Sequence, residues 1–259
     1  MERNFCVKRL DYMKPKRVQV MGTPIDCVDM TQALKAVDSM VKGNKAQTVI
    51  AINPEKVIKA QNDPKLLEWF NKAGLLIPDG IGVVVAVRNL VGEKISRVPG
   101  AELMPAICEQ SLSKGYKLFL LGASRDVNFK AVEVLRQRYQ GINIVGNRDG
   151  YFSESDIPNL IEEINASGAD VLFVALGSPR QELWMEQYLP LTNVKVCQGV
   201  GGTFDVLAGN VRRAPFLFRK LHLEWFYRLV SQPKRLFRQT ALPKFAYQLV
   251  VNKMFGMKK

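Results

Sequence analysis

Asp79 closes the apolar run Leu75-Leu76-Ile77-Pro78 and precedes Gly80-Ile81-Gly82 and a valine-rich segment. A carboxylate at the mouth of a strand can take a proton from an attacking hydroxyl. The same side chain can instead cap the following helix, a role worth about 1 kcal/mol. Position alone leaves both roles open. Asn53, in Asn53-Pro54-Glu55, and Gln181, in Gly177-Ser178-Pro179-Arg180-Gln181-Glu182, are neutral polar groups suited to sugar hydroxyls. Arg97, Arg148 and Arg180 stand near the same kind of junction. There a guanidinium either grips phosphate bidentately or remains an ordinary surface charge.

Gly122-Ala123-Ser124 and Gly177-Ser178-Pro179 each follow an apolar run and open a helical pattern. Small residues let backbone N–H groups approach a phosphate, and a helix N-terminus favours its charge. A plain tight turn with an N-cap would read the same way. Asp205, in Gly199-Val200-Gly201-Gly202-Thr203-Phe204-Asp205, offers acceptors to a base or ribose, or caps the next helix.

Several chemistries are excluded in their standard forms. The chain has one histidine, His222, and four scattered cysteines, Cys6, Cys27, Cys108 and Cys197, with no C-x-x-C pair. That set makes neither a Cys/His zinc site nor an imidazole-based hydrolase triad, so carboxylates must supply any general base. No G-x-x-x-x-G-K-[ST] occurs, and Gly80-Ile81-Gly82-Val83-Val84-Val85 is an incomplete dinucleotide fingerprint. No metal and no cofactor is expected. The thiols, and a polar N-terminus without an apolar signal core, fit a reducing cytoplasm.

These residues need a scaffold, and the pattern of the first 210 residues provides one. Short β-type runs (Arg17–Met21, Gln47–Ile52, Leu75–Ile77, Lys117–Leu121, Ile142–Val145, Val171–Leu176, Val194–Gln198) alternate with helical segments. The helices expected are Thr31–Val41, Pro54–Ala73, Ala101–Lys114, Ser124–Tyr139, Ile157–Asn165 and Pro179–Tyr188. Val171–Leu176 is continuously apolar, as in a parallel strand covered on both faces. The alternation predicts an α/β domain with a doubly wound, mostly parallel sheet, in which ligands sit beyond the carboxyl ends of the strands.

The charge is unevenly placed. Residues 1–210 hold 25 Lys+Arg against 23 Asp+Glu, whereas residues 211–259 hold 12 against one, Glu224. The last 49 residues also carry nine aromatics. This boundary predicts a catalytic domain over 1–210 and a basic, aromatic helical appendage over 211–259. Such helices lie on an anionic bilayer, grip nucleic acid, or pack on the core with a solvated basic face. No apolar stretch is long enough for an ordinary transmembrane helix.

Asn53-Pro54-Glu55, Pro78-Asp79-Gly80-Ile81-Gly82-Val83, Arg97-Val98-Pro99-Gly100, Asp149-Gly150-Tyr151-Phe152, Ala175–Glu182, Gly199–Asp205 and Glu224-Trp225-Phe226-Tyr227-Arg228-Leu229 come in the order of, and together resemble, the WecG/TagA/CpsF family of bacterial glycosyltransferases. The resemblance spans roughly residues 17–240. It implies inverting, metal-independent transfer of a UDP-activated sugar, in one branch N-acetylmannosamine, onto GlcNAc-diphospho-undecaprenol. It puts the general base on Asp79, with Asn53, Arg97 and Gln181 beside it. Nucleotide contacts fall around Tyr151 and Asp205, and arginines closing over the diphosphate fall on Arg228, Arg235 and Arg238. Many members carry threonine where this chain has Ala51, so an acceptor-side hydroxyl is missing here. The resemblance places the enzyme peripherally on the inner face of the cell membrane, with an anionic surface and no nucleic acid as partner. A homo-oligomer is compatible with the sequence. The rival readings are a non-catalytic nucleotide-binding module and a nicotinamide-dependent oxidoreductase.

Overall fold

A computed structural model describes residues 15–211, 214–215, 218, 226–227 and 240–254. Six parallel strands form the central sheet: β3 (Gln47–Ile52), β4 (Leu75–Pro78), β5 (Leu118–Gly122), β6 (Ile144–Arg148), β7 (Val171–Ala175) and β8 (Val196–Gly199), in the order β4-β3-β8-β7-β5-β6. Every residue of β4, β5 and β7 is buried. Period-two alternation sends Phe119, Leu121, Leu172 and Val174 into one apolar layer and Leu118, Leu120, Val171 and Phe173 into the other. Helices cover both layers, as a doubly wound sheet requires.

The strand order locates a crevice. After β5 the chain passes outward to β6, whereas after the adjacent β7 it turns the opposite way to β8. The carboxyl ends of β5 and β7 therefore flank a topological switch point, the usual ligand position in such sheets.

Three expectations change. Strands β1 (Arg17–Val20) and β2 (Thr23–Asp26) form an antiparallel hairpin, of which the sequence pattern indicated only the first arm. Its turn, Met21-Gly22, has positive φ at both residues, as a two-residue hairpin turn with matching twist requires. Asp26 fastens the hairpin to the sheet: buried, it accepts from Arg17 Nε and Nη2 at 2.8 and 2.9 Å and from the Leu76 N–H at 2.8 Å.

The single helix expected over Pro54–Ala73 is two, α2 (Pro54–Ala60) and α3 (Pro64–Lys72). Pro64 has no N–H to continue the first helix, and Asp63 caps the second through the Leu66 N–H. The sixth strand lies over Ile144–Arg148 rather than Ile142–Val145. The other elements are α1 (Met30–Val41), α4 (Ile81–Ala86) running into a π-turn at Val87–Val91, α5 (Gly100–Lys114), α6 (Arg125–Arg138), α7 (Ile157–Ala166), α8 (Arg180–Tyr188), α9 (Thr203–Leu207) and α10 (Ala241–Met254).

From the basic C-terminal region, α10 packs on α2 through buried Phe245, which also lies beside Gly82, and through a reciprocal Gln61–Gln248 amide pair. Among the described residues no helix is long and apolar enough to cross a membrane.

Candidate active site

Asn53 ends β3 and opens α2. Its Oδ1 accepts from the Lys56 N–H at 2.9 Å, and Pro54 at the first helical position has no N–H that needs a partner. Asp79 follows β4, anchored by its N–H donating to the Ile52 carbonyl at 2.8 Å. Gly80, at φ 94°, occupies the cap position of α4.

Arg97 reaches the Asp79 carboxylate, Nη2 to Oδ1 3.7 Å, with side chains 19% and 29% exposed. The loop carrying Arg97 is tied back to the strand by the Val98 N–H donating to the Pro78 carbonyl. Gly100 approaches the Ala51 side chain so closely that a Cβ on it would stand 3.2 Å from the Ala51 Cβ. Buried Gln198 donates its amide to the Gly100 carbonyl.

Gln181, in the first turn of α8, is buried. Its Oε1 accepts from the Gly201 N–H at 3.1 Å, and its Nε2 donates to Glu182 Oε1 at 3.1 Å. The same Glu182 oxygen lies 3.1 Å from Lys56 Nζ, the two side chains being 6% and 15% exposed. Burial would raise the Glu182 carboxyl, but the Lys56 ammonium and hydrogen bonds from Lys56 and Gln181 hold it below its ordinary value. Lys56 thus binds Asn53 through its backbone and Glu182 through its ammonium.

Neither Lys56 nor Glu182 was given a role from the sequence, although Glu182 closes the motif that carries Gln181. Their partnership spans strands β3 to β7, and the only local signal was the place of Glu182 beside Gln181.

The switch-point side is built from backbone. Gly122 has φ 122°, and a Cβ there would meet the Ala175 carbonyl carbon and oxygen at 2.5 Å, so β5 and β7 close only around a glycine. The Ala123 N–H donates to the Ala175 carbonyl, and the Gly150 N–H to the Ala123 carbonyl, knitting the ends of β7, β5 and β6. Ser124 caps α6 through the Val127 N–H. Buried Asn128, also absent from the sequence reading, donates to the Gly122 carbonyl at 2.9 Å and the Arg148 carbonyl at 3.0 Å.

Gly177 has φ 75° with open space where a Cβ would stand. Tyr151 is 80% exposed, its N–H held by Asp149, and Asp205 lies half-buried in the first turn of α9. Two arginines offered as phosphate ligands have protein partners: Arg148 pairs with Glu163 at 3.5 Å, and Arg180 stacks on the Phe152 ring. Arg228, Arg235 and Arg238 lie outside the described residues.

The arrangement joins Asp79 to Arg97, and Asn53 to Gln181 through Lys56 and Glu182, at the carboxyl edge of β3, β4 and β8. Gly122, Ser124 and Gly177 lie at the adjacent β5/β7 crevice. Such an edge can hold a diphosphate on backbone amides while a carboxylate addresses a nearby hydroxyl. Among the described residues no group of three or more His, Cys, Asp or Glu side chains is placed to hold a metal. Burial pushes the Cys108 thiol up to about 12, and that of Cys197 up as well, so neither serves as a nucleophile at neutral pH. A family model described as "Glycosyl transferase WecG/TagA/CpsF family" matches residues 18–259.

Proposed function

Because the chain belongs to the WecG/TagA/CpsF family of glycosyltransferases, we propose that it moves N-acetylmannosamine from a UDP donor to GlcNAc-diphospho-undecaprenol in cell-wall or surface polysaccharide synthesis. The observation that carries this reading is the Asp79–Arg97 pair at the edge of β4. Asp79 takes the proton from the acceptor hydroxyl as that oxygen bonds to the anomeric carbon. The bond from that carbon to the UDP oxygen breaks on the opposite face, inverting the configuration. UDP leaves with the electron pair.

The nucleotide lies in the β5/β7 crevice against the Gly122–Ser124 turn and Gly177, with Tyr151 and Asp205 at its base and ribose. Asn53, Arg97 and Gln181 orient the two sugars. Charge on the departing diphosphate is met by backbone amides and by Arg228, Arg235 and Arg238, without a metal.

Residues 211–259 form the membrane-facing appendage. On α10, Tyr247, Val250 and Met254 recur at helical spacing and are exposed, on the side opposite buried Phe245. With Lys244 and Lys253 they suit an anionic leaflet, where the acceptor resides.

The test is a panel of UDP-sugars offered with a short-chain GlcNAc-diphospholipid, with and without EDTA, read by mass spectrometry. Acceptor plus one N-acetylhexosamine, formed equally in EDTA, is the expected product. UDP binding without any transfer would leave a nucleotide-binding module instead.

A further inference from the structure

Lys56 and Glu182 form a buried ion pair between the ends of two strands, and the proposed reaction assigns neither a part. A carboxylate as enclosed as Glu182 is costly to desolvate unless a cation and hydrogen bonds compensate it. Lys56 is that cation, and its placement is fixed at the other end by Asn53 Oδ1 on its N–H. The same oxygen, Oε1, accepts from Gln181 Nε2, while buried Oε2 takes no hydrogen bond.

This fixes which way the Gln181 amide faces. With Oε1 held by the Gly201 N–H and Nε2 by the Glu182 carboxylate, a flipped amide would set donor against donor and acceptor against acceptor. The amide lies over Gly199, where a Cβ would come within 2.9 Å of Nε2. Gly201 in turn begins the turn that leads to α9 and Asp205.

We infer that Lys56 and Glu182 are positioning residues: their ion pair orients the Gln181 amide and, through Gly201, sets the turn on which Asp205 is carried. The chain Asn53–Lys56–Glu182–Gln181–Gly201 couples the acceptor edge of the sheet to its nucleotide edge. Its catalytic consequence rests on the function proposed above; its structural consequence does not.

The experiment uses the full chain in three variants, Lys56→Met, Glu182→Ala and Lys56→Arg. Amide hydrogen exchange is followed at Gly201 and, as an internal reference, at Ala123, whose N–H is bound to the Ala175 carbonyl. Loss of a hydrogen bond ordered by a charge should speed Gly201 exchange about tenfold or more in Lys56→Met and Glu182→Ala, leaving Ala123 unchanged. Lys56→Arg, which keeps the cation, should stay within about threefold of the parent. In the transfer assay the first two variants should lose about tenfold in kcat while the donor KM moves less than about twofold. Unchanged Gly201 exchange, or equal acceleration at Gly201 and Ala123 as in general loosening, would overturn the inference. A parent protein that transfers no sugar would defeat the proposed function, while the exchange results would still decide this one.

Discussion

The guanidinium of Arg97 stands 3.7 Å from the carboxylate of Asp79, bringing the loop before α5 to the end of β4. At that separation, with both side chains partly open to solvent, the pair contributes no more than about 1 kcal/mol to folding. Its proposed value is in what it does for Asp79 and a bound substrate. Arg97→Met should lower kcat/KM by about tenfold to a hundredfold, the scale of one charge-assisted contact, while the thermal midpoint moves by only a few degrees. Steady-state kinetics and a melting curve on the same preparation check both halves.

Gly122 makes a sharper demand on the backbone. Gly122→Ala would put a Cβ 2.5 Å from the Ala175 carbonyl at a φ of 122°, so the β5/β7 edge must open. A loss of about 1–3 kcal/mol in stability is expected, together with weaker UDP binding, because the displaced turn is the one proposed to meet the diphosphate. Gly177→Ala, where the added carbon meets nothing, should cost about 1 kcal/mol through its φ of 75° alone. Urea denaturation and UDP titration calorimetry of the two variants give the comparison.

Much of this architecture is legible in the chain itself. The apolar run of β7 and the Asp29 cap of α1 both act locally, so residue order displays them. The break between α2 and α3 was written in Asn62-Asp63-Pro64, but the apolar periodicity on either side masked it. The short β2, carrying a proline, has too little alternation to declare itself, and buried Asp26 defines it through contacts with Arg17 and Leu76. Asp79, Asn53, Arg97 and Gln181 could be named from motifs. The Lys56–Glu182 pair could not, since a lysine in a first helical turn looks like a solvated charge until β3 and β7 enter one sheet.

Acid should act on that pair in a predictable direction. Folding lowers the Glu182 carboxyl below its ordinary 4.5, so the folded protein binds this proton less readily than the unfolded chain. The stability it contributes is complete above that ordinary value and fades as pH falls through the lower folded one. Urea midpoints measured from about pH 6 down to pH 3 should fall for the parent, and fall less steeply for Glu182→Gln.

Helix α10 separates into a buried face and an exposed one. Phe245→Ala removes a buried ring between α10, α2 and Gly82 and should cost about 3–5 kcal/mol. Tyr247→Ser with Val250→Ser alters only exposed positions, so the melting temperature should hold while sedimentation with anionic vesicles declines. Equal vesicle binding by the double variant and the parent would remove this face from the membrane contact.

The proposed chemistry depends on Asp79 as the base that frees the acceptor hydroxyl to attack a UDP-sugar. UDP release that depends on GlcNAc-diphospholipid, measured side by side for the parent and Asp79→Asn, tests that dependence directly. The parent should release UDP only when acceptor is present. The variant should fold, bind UDP as the parent does, and turn over about a hundredfold more slowly. Near-parental turnover by Asp79→Asn, or UDP release by the parent indifferent to acceptor, would contradict the account.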